Sequence, residues 1–167
     1  MDQKCKYFKR GNKKIELHIR DTAGQERFKA IAKNNIKGAD GIVLMYDISN
    51  YNTFRTIKEW IGSIKESIDI SKIAIIIVGN KSDLPDSERQ VDEESKKIIE
   101  INYNIKIYEA SAKDNINVNE SIYALVDKMI ELGLGKKKNF DDEEEDNNNE
   151  LKLKNEEKKR NKNFCWR

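Results

Sequence analysis

The stretch Ile73–Asp83, I-A-I-I-I-V-G-N-K-S-D, is a run of branched apolar side chains that ends abruptly in Asn80-Lys81-Ser82-Asp83. A continuous apolar run between polar boundaries fits a parallel strand covered on both faces, whereas a half-solvated strand alternates. Upstream, Gly41–Asp47, G-I-V-L-M-Y-D, repeats the pattern. Downstream, Lys106–Glu109 reads as a short strand ending at Ala110-Ser111-Ala112-Lys113. Helical periods lie between and after these strands. Phe54, Ile57, Trp60, Ile61, Ile64 and Ile68 recur at three and four residues, so Thr53–Ile68 is an amphipathic helix, with Ser49 and Asn50 as candidate caps. Asp92–Ile101 is a second helix, and Val118, Ile122, Leu125, Val126, Met129 and Ile130 mark a third. Trp60 and Tyr46 are read as core. Strands alternating with helices predict an α/β fold with a doubly wound, mostly parallel sheet.

The first residues read differently. Lys4–Arg10 and Lys13–Arg20 flank Gly11-Asn12, a two-residue hairpin signal. Ile15, Leu17 and Ile19 alternate against Lys14, Glu16, His18 and Arg20, which predicts a half-buried β-ribbon. The ribbon runs into I-R-D-T-A-G-Q-E-R-F at Ile19–Phe28. Asp21 thus falls at the carboxyl end of a strand, where open α/β sheets place their ligands. A D-x-x-G in that position suits nucleotide phosphates: the carboxylate turns toward a metal and the Gly24 amide toward the terminal phosphate, while Gln25 can orient an attacking water. Arg27–Lys37 is Lys-rich and sparsely apolar, and reads as a loop running into a short helix. His18, the only histidine, lies on the polar face of its strand and is given no catalytic role.

Asn80-Lys81-x-Asp83 also follows a buried strand. There the Asp83 carboxylate can accept both hydrogen bonds from the Watson–Crick edge of a guanine, and an adenine offers the wrong pattern. Each charge-assisted bond of this kind is worth about 1.5–3 kcal/mol. The Asn80 side chain can meet the Hoogsteen edge or tie loops together, and the Lys81 stem can lie over the ring. Taken alone, this motif is equally a polar turn after a strand.

Composition sets outer bounds. The 167 residues are 37% hydrophobic and 37% charged, enough for one domain, 1–132, and a charged tail, 133–167, which lowers the mean hydropathy of −0.84. In that tail, Lys136–Lys138 is basic, Asp141–Asp146 acidic and Lys152–Arg160 mainly basic, so it is expected to be disordered. Lys+Arg 32 against Asp+Glu 30 leaves a net charge of +2, which argues against a nucleic-acid binder. Two cysteines, Cys5 and Cys165, form no disulfide framework and fit a reducing cytosol. The N-terminus has no apolar core, so no signal peptide is expected there.

With D-T-A-G-Q-E-R-F at Asp21–Phe28, Asn80-Lys81-x-Asp83 and Ser111-Ala112-Lys113 in that order, each at the carboxyl end of a strand, the chain resembles the Ras-like small GTPases, and most of all their Rab branch. The resemblance covers Lys4 to about Leu132. It implies GTP and GDP as ligands with Mg²⁺. Asp21 would hold the metal through water, Gly24 would meet the terminal phosphate and Gln25 would orient the hydrolytic water. Asn80, Lys81, Asp83, Ser111, Ala112 and Lys113 would bind guanine, with the Ser111–Lys113 backbone approaching the base carbonyl. Asp21–Asn35 would be the switch read by effector, exchange and activating proteins.

The chain also departs from that family. The strand leading into G-x-x-x-x-G-K-[ST], the helix after it and the first switch with its Mg²⁺-binding Thr have no counterpart in these residues, and Gly11-Asn12 is a hairpin turn rather than a phosphate loop. If three such phosphate bonds are lost at about 1.5–3 kcal/mol each, affinity falls by roughly three to six decades. The missing strand lies mid-sheet in the family, so Lys13–Arg20 and Gly41–Asp47 are expected either to pair directly or to leave a gap, and the chain alone is expected to be marginal. Arg20 stands where the Rab pattern has Trp, which bears on the surface that partners read. Cys165-Trp166-Arg167 is neither C-a-a-X nor a double cysteine, so peripheral attachment to the cytosolic face of an endomembrane would rest on lipidation of Cys165 or on the basic Lys152–Arg160. Two readings stand: a Rab-like GTPase of vesicle traffic read from an N-terminally incomplete sequence, and a shortened pseudo-GTPase that binds partners without turnover.

Overall fold

A computed structural model of the chain describes residues 3–21, 36 and 38–135. Gly24, Gln25, the rest of the 22–35 segment and Cys165 lie outside the described residues. The elements run β1 (Gln3–Arg10), β2 (Lys13–Arg20), β3 (Gly41–Asp47), α1 (Tyr51–Ser67), β4 (Ala74–Asn80), α2 (Glu93–Tyr103), β5 (Ile107–Ala110) and α3 (Val118–Glu131). Helix α1 starts two residues before the periodicity does, because Asn50 caps it by accepting from the Asn52 amide. Asp92 closes α2 in the same way through the Ser95 amide, and Asn104, in the left-handed region, ends it.

The three parallel strands stand in the order β3-β4-β5. On β4, Ile75 and Ile77 face the cluster formed by Phe54, Ile57, Ile61 and Ile64 of α1 with Ile99 of α2. Ala74, Ile76 and Val78 point to the opposite face, against Leu125 of α3. Helices on both faces make the sheet doubly wound, and the unbroken apolar run of β4 follows from it. Tyr46 is core, and Trp60 is partly buried against the same cluster. The outer strand β3 departs from expectation. Leu44 and Tyr46 are buried, but Met45 is 51% exposed, so only one of its faces is fully covered. Helix α3 reaches the start of this strand: a Cβ on Gly41 would lie 2.9 Å from Met129 Sδ and 3.2 Å from Leu125.

β1 and β2 form a separate antiparallel ribbon closed at Gly11, whose φ of +58° suits glycine. No ladder joins β2 to β3, so of the two expected arrangements the gap is the one observed. The ribbon rests on α3 instead. Phe8 stacks at 5.2 Å on Tyr123, Lys6 Nζ donates to Asn119 Oδ1 over 2.9 Å, and the Arg10 guanidinium forks onto Asp127 beside the Tyr123 ring. Lys6, Phe8 and Arg10 of β1 therefore meet the helix, while Cys5 and Tyr7, on the other face of the strand, are exposed. Among the described residues no helix is long and apolar enough to cross a membrane.

Candidate functional site

The carboxyl ends of β4 and β5 bring Asn80-Lys81-Ser82-Asp83 against Ser111-Ala112-Lys113. Register places Asn80 beside Ala110, and the Ser82 amide donates to the Ala110 carbonyl over 3.1 Å, so the two loops leave the sheet side by side. Lys81 has φ +73°, a left-handed conformation that costs a non-glycine residue roughly 1–2 kcal/mol. It reverses the chain so that the Leu84 amide reaches the Lys81 carbonyl, and Asp83 turns back over β5.

Asp83 is the centre of the cluster. Its Oδ1 accepts from the Ser111 hydroxyl at 2.6 Å, and Lys113 Nζ stands 3.4 Å from Oδ2. Ser111 is fully buried, and its oxygen also accepts from the Asp114 amide at 3.0 Å. The Ser111 bond holds the Asp83 carboxyl below the usual carboxylate range against partial burial, and Lys113 adds to it. A carboxylate oxygen can accept more than one hydrogen bond, so both keep acceptor capacity for a paired N–H donor. Asn80 Oδ1 accepts from the Ala112 amide at 3.0 Å, which pins the second loop to the first. In this structure that amide points at Asn80.

Lys81 lies on the exposed side and is anchored by a residue that motif reading missed. Its Nζ is 2.7 Å from Asp47 Oδ2, at the end of β3. Burial pushes the Asp47 carboxyl up, but Lys81 and the Ser49 amide and hydroxyl outweigh it and the net shift is downward; Asp47 in turn raises Lys81. The only sequence signal was an acid at the end of an apolar strand. Beneath the second loop lies another group with no motif. Glu109 accepts from Arg89 and from the buried Lys96, which also pairs with Glu93, while its carbonyl accepts from Asn117 Nδ2.

Six of the predicted site residues are thus brought together: Asn80, Lys81, Asp83, Ser111, Ala112 and Lys113. Asp21 is not among them. It is exposed and follows β2 in the ribbon, outside the three-stranded sheet. The described residues therefore fit the guanine end of a nucleotide through the acceptor pair of Asp83. For Mg²⁺ and phosphates they offer, from the predicted set, only the Asp21 carboxylate.

A sequence profile described as the Ras family matches residues 1–131. Ras-related protein Rab-8B of Bos taurus is 43% identical over 139 residues, 83% of this chain and 66% of that protein. Rab-8A of Bos taurus is 44% identical over 127 residues, 75% of this chain and 59% of its own length. Rab-3A of Homo sapiens is 40% identical over 131 residues, 78% of this chain and 59% of its own length. The chain spans between 59% and 66% of the length of these three relatives.

Proposed function

The chain belongs to the Ras family and to its Rab branch of small GTPases, and on that premise we propose that it serves as a guanine-nucleotide-dependent switch in vesicle and membrane traffic. The observation that carries the proposal is the junction of the two base-binding loops, with Asp83 held by Ser111 and Asn80 held by Ala112. In this reading Asp83 accepts both N–H donors of guanine, Asn80 and the Lys81 stem flank the ring, and Ser111–Lys113 closes the pocket. Bound Mg²⁺ supplies charge neutralisation at the phosphates. Asp21 would contribute its carboxylate there, Gly24 an amide, and Gln25 the orientation of the attacking water. The 21–35 segment is the surface for effector, exchange and activating proteins. Attachment to the cytosolic face of an endomembrane comes from Cys165 or the basic tail.

A second reading has its own support, since the 167 residues contain no G-x-x-x-x-G-K-[ST]. The amides and the Lys of such a loop cradle phosphates, and a protein made without them would be a pseudo-GTPase that binds partners without turnover. Nucleotide retention separates the two. The purified 167-residue chain is heat-released and its supernatant chromatographed for GDP and GTP. Retained GDP supports the switch. An empty chain that still captures Rab regulators supports the binding module. In any form that hydrolyses GTP, Gln25→Leu is expected to slow the reaction, and an unchanged rate removes the water-orienting role.

A further inference from the structure

The solvent face of the ribbon gathers three metal-ligating groups that the nucleotide site does not use. Cys5 and His18 are directly opposed across β1 and β2, and Glu16 follows on the same face two residues from His18. Cross-strand neighbours on one face stand about 4.5–5.5 Å apart at Cβ, so short side chains there converge. Here one ligand atom from each of Cys5, Glu16 and His18 lies within 4.8 Å of the others. Glu16 Oε1 is 3.8 Å from Cys5 Sγ and 3.0 Å from His18 Nε2.

We propose that Cys5, Glu16 and His18 form a binding site for Zn²⁺ that clips β1 to β2. Tetrahedral zinc with sulfur at about 2.3 Å and nitrogen or oxygen at about 2.0–2.1 Å sets neighbouring ligand atoms about 3.3–3.6 Å apart. The two separations from Glu16 bracket that range and the third lies within 4.8 Å, so side-chain rotations can bring the three groups onto one ion. The donor set selects the ion. Thiolate and imidazole suit Zn²⁺, whereas Mg²⁺ and Ca²⁺ take oxygen ligands. A thiolate and a carboxylate also balance the charge of a divalent ion.

The surroundings complete the site. Gln3 Nε2 lies 3.2 Å from His18 Nδ1, so its amide, turned over, accepts the Nδ1 proton when Nε2 binds metal. The Tyr7 hydroxyl donates to Glu16 Oε1 at 3.0 Å and holds that carboxylate in place. Water takes the fourth position. Binding displaces the thiol proton to solvent.

Cobalt(II) serves as the probe, added to the full 167-residue chain under reducing conditions. One equivalent is expected to give a thiolate-to-cobalt charge-transfer band that Zn²⁺ abolishes. Cys5→Ser should remove the band. His18→Ala and Glu16→Gln should each weaken metal binding at least about tenfold, and Gln3→Leu by about tenfold, as for lost partners of metal-bound imidazoles. Cys165→Ser should change nothing. The site is disproved by the absence of a band, by a band that survives Cys5→Ser, by one lost in Cys165→Ser, or by affinity unchanged in His18→Ala.

Discussion

Ser111 Oγ donates to Asp83 Oδ1 over 2.6 Å while accepting from the Asp114 amide, so one buried hydroxyl fixes the carboxylate of the first loop and the turn of the second. The consequence is a pre-set acceptor. Asp83 does not have to be drawn from solvent when a base arrives, which saves ordering entropy at the moment of binding. The same pairing makes the two loops one unit: displacing either strand end moves the other.

Asp83→Asn keeps an oxygen for the Ser111 hydroxyl but replaces the second acceptor with an amide donor. Guanine offers two donors to that edge, and xanthine offers one donor and one carbonyl. The variant is expected to lose at least about tenfold in GDP affinity and to gain for xanthosine diphosphate, since a mismatched polar pair is left unmade. Competition binding of the two nucleotides checks this. An unchanged preference would remove Asp83 from base recognition.

Glu109 should make the fold acid-sensitive. Burial raises its carboxyl, but Lys96 and Arg89 outweigh burial and its folded value lies below the ordinary glutamate range. A depressed folded value stabilises the fold above the unfolded value, and that contribution disappears as pH falls through the folded one. Urea unfolding is therefore expected to weaken from the ordinary glutamate range downward, and Glu109→Gln to flatten that limb. At neutral pH the variant leaves the buried Lys96 with Glu93 alone. The loss should stay under the about 3–5 kcal/mol seen when a fully buried pair is broken. Parallel pH profiles for the two proteins would refute the assignment.

Gly79→Ala tests the packing under Asn80. An added Cβ would stand 2.6 Å from Cζ and the hydroxyl oxygen of Tyr46 and 2.9 Å from Ile48 Cγ2. The Tyr46 ring cannot retreat easily, because it is buried and packed edge-on against Phe54 at 4.9 Å. Overpacking of this kind costs about 1–3 kcal/mol. Thermal unfolding should show a lower midpoint, and an unchanged midpoint would mean that Tyr46 and Gly79 are not in contact in solution.

What was legible in the sequence divides by the range of the interaction. The run Ile73–Val78 fits a strand covered on both faces, and the three-and-four spacing of Phe54 to Ile64 fits a helix stripe. Both patterns are local consequences of backbone period. The loops ending in Asp83 and Ser111 were legible because they follow such strands. Met45 was misread, since the apolar run of β3 looks like that of β4 although α3 reaches only its start. Asp47–Lys81 and Lys96–Glu109 were invisible, because any of the many charges could have supplied the partner. The seat of the ribbon on α3 was equally hidden: Phe8 and Tyr123 carry no mark that they meet.

That seat carries the last prediction. A two-stranded ribbon is at best marginally stable alone, and β2 has no ladder to β3. Among the described residues its hold on the molecule includes contacts with α3: Phe8 on Tyr123, Arg10 on Asp127 and Lys6 on Asn119. An aromatic pair adds about 0.5–1.5 kcal/mol beyond its buried area. Removing both the ring and the fork, in Phe8→Ala with Arg10→Ala, should free the ribbon without touching the clusters around β4. Amide hydrogen exchange is expected to speed up at least about tenfold across Lys4–Arg20 and to stay unchanged at Ile75–Val78. Equal loss of protection in both regions would mean that ribbon and sheet unfold as one cooperative unit. Unchanged protection of the ribbon would mean that its hold lies in contacts other than those with Tyr123 and Asp127.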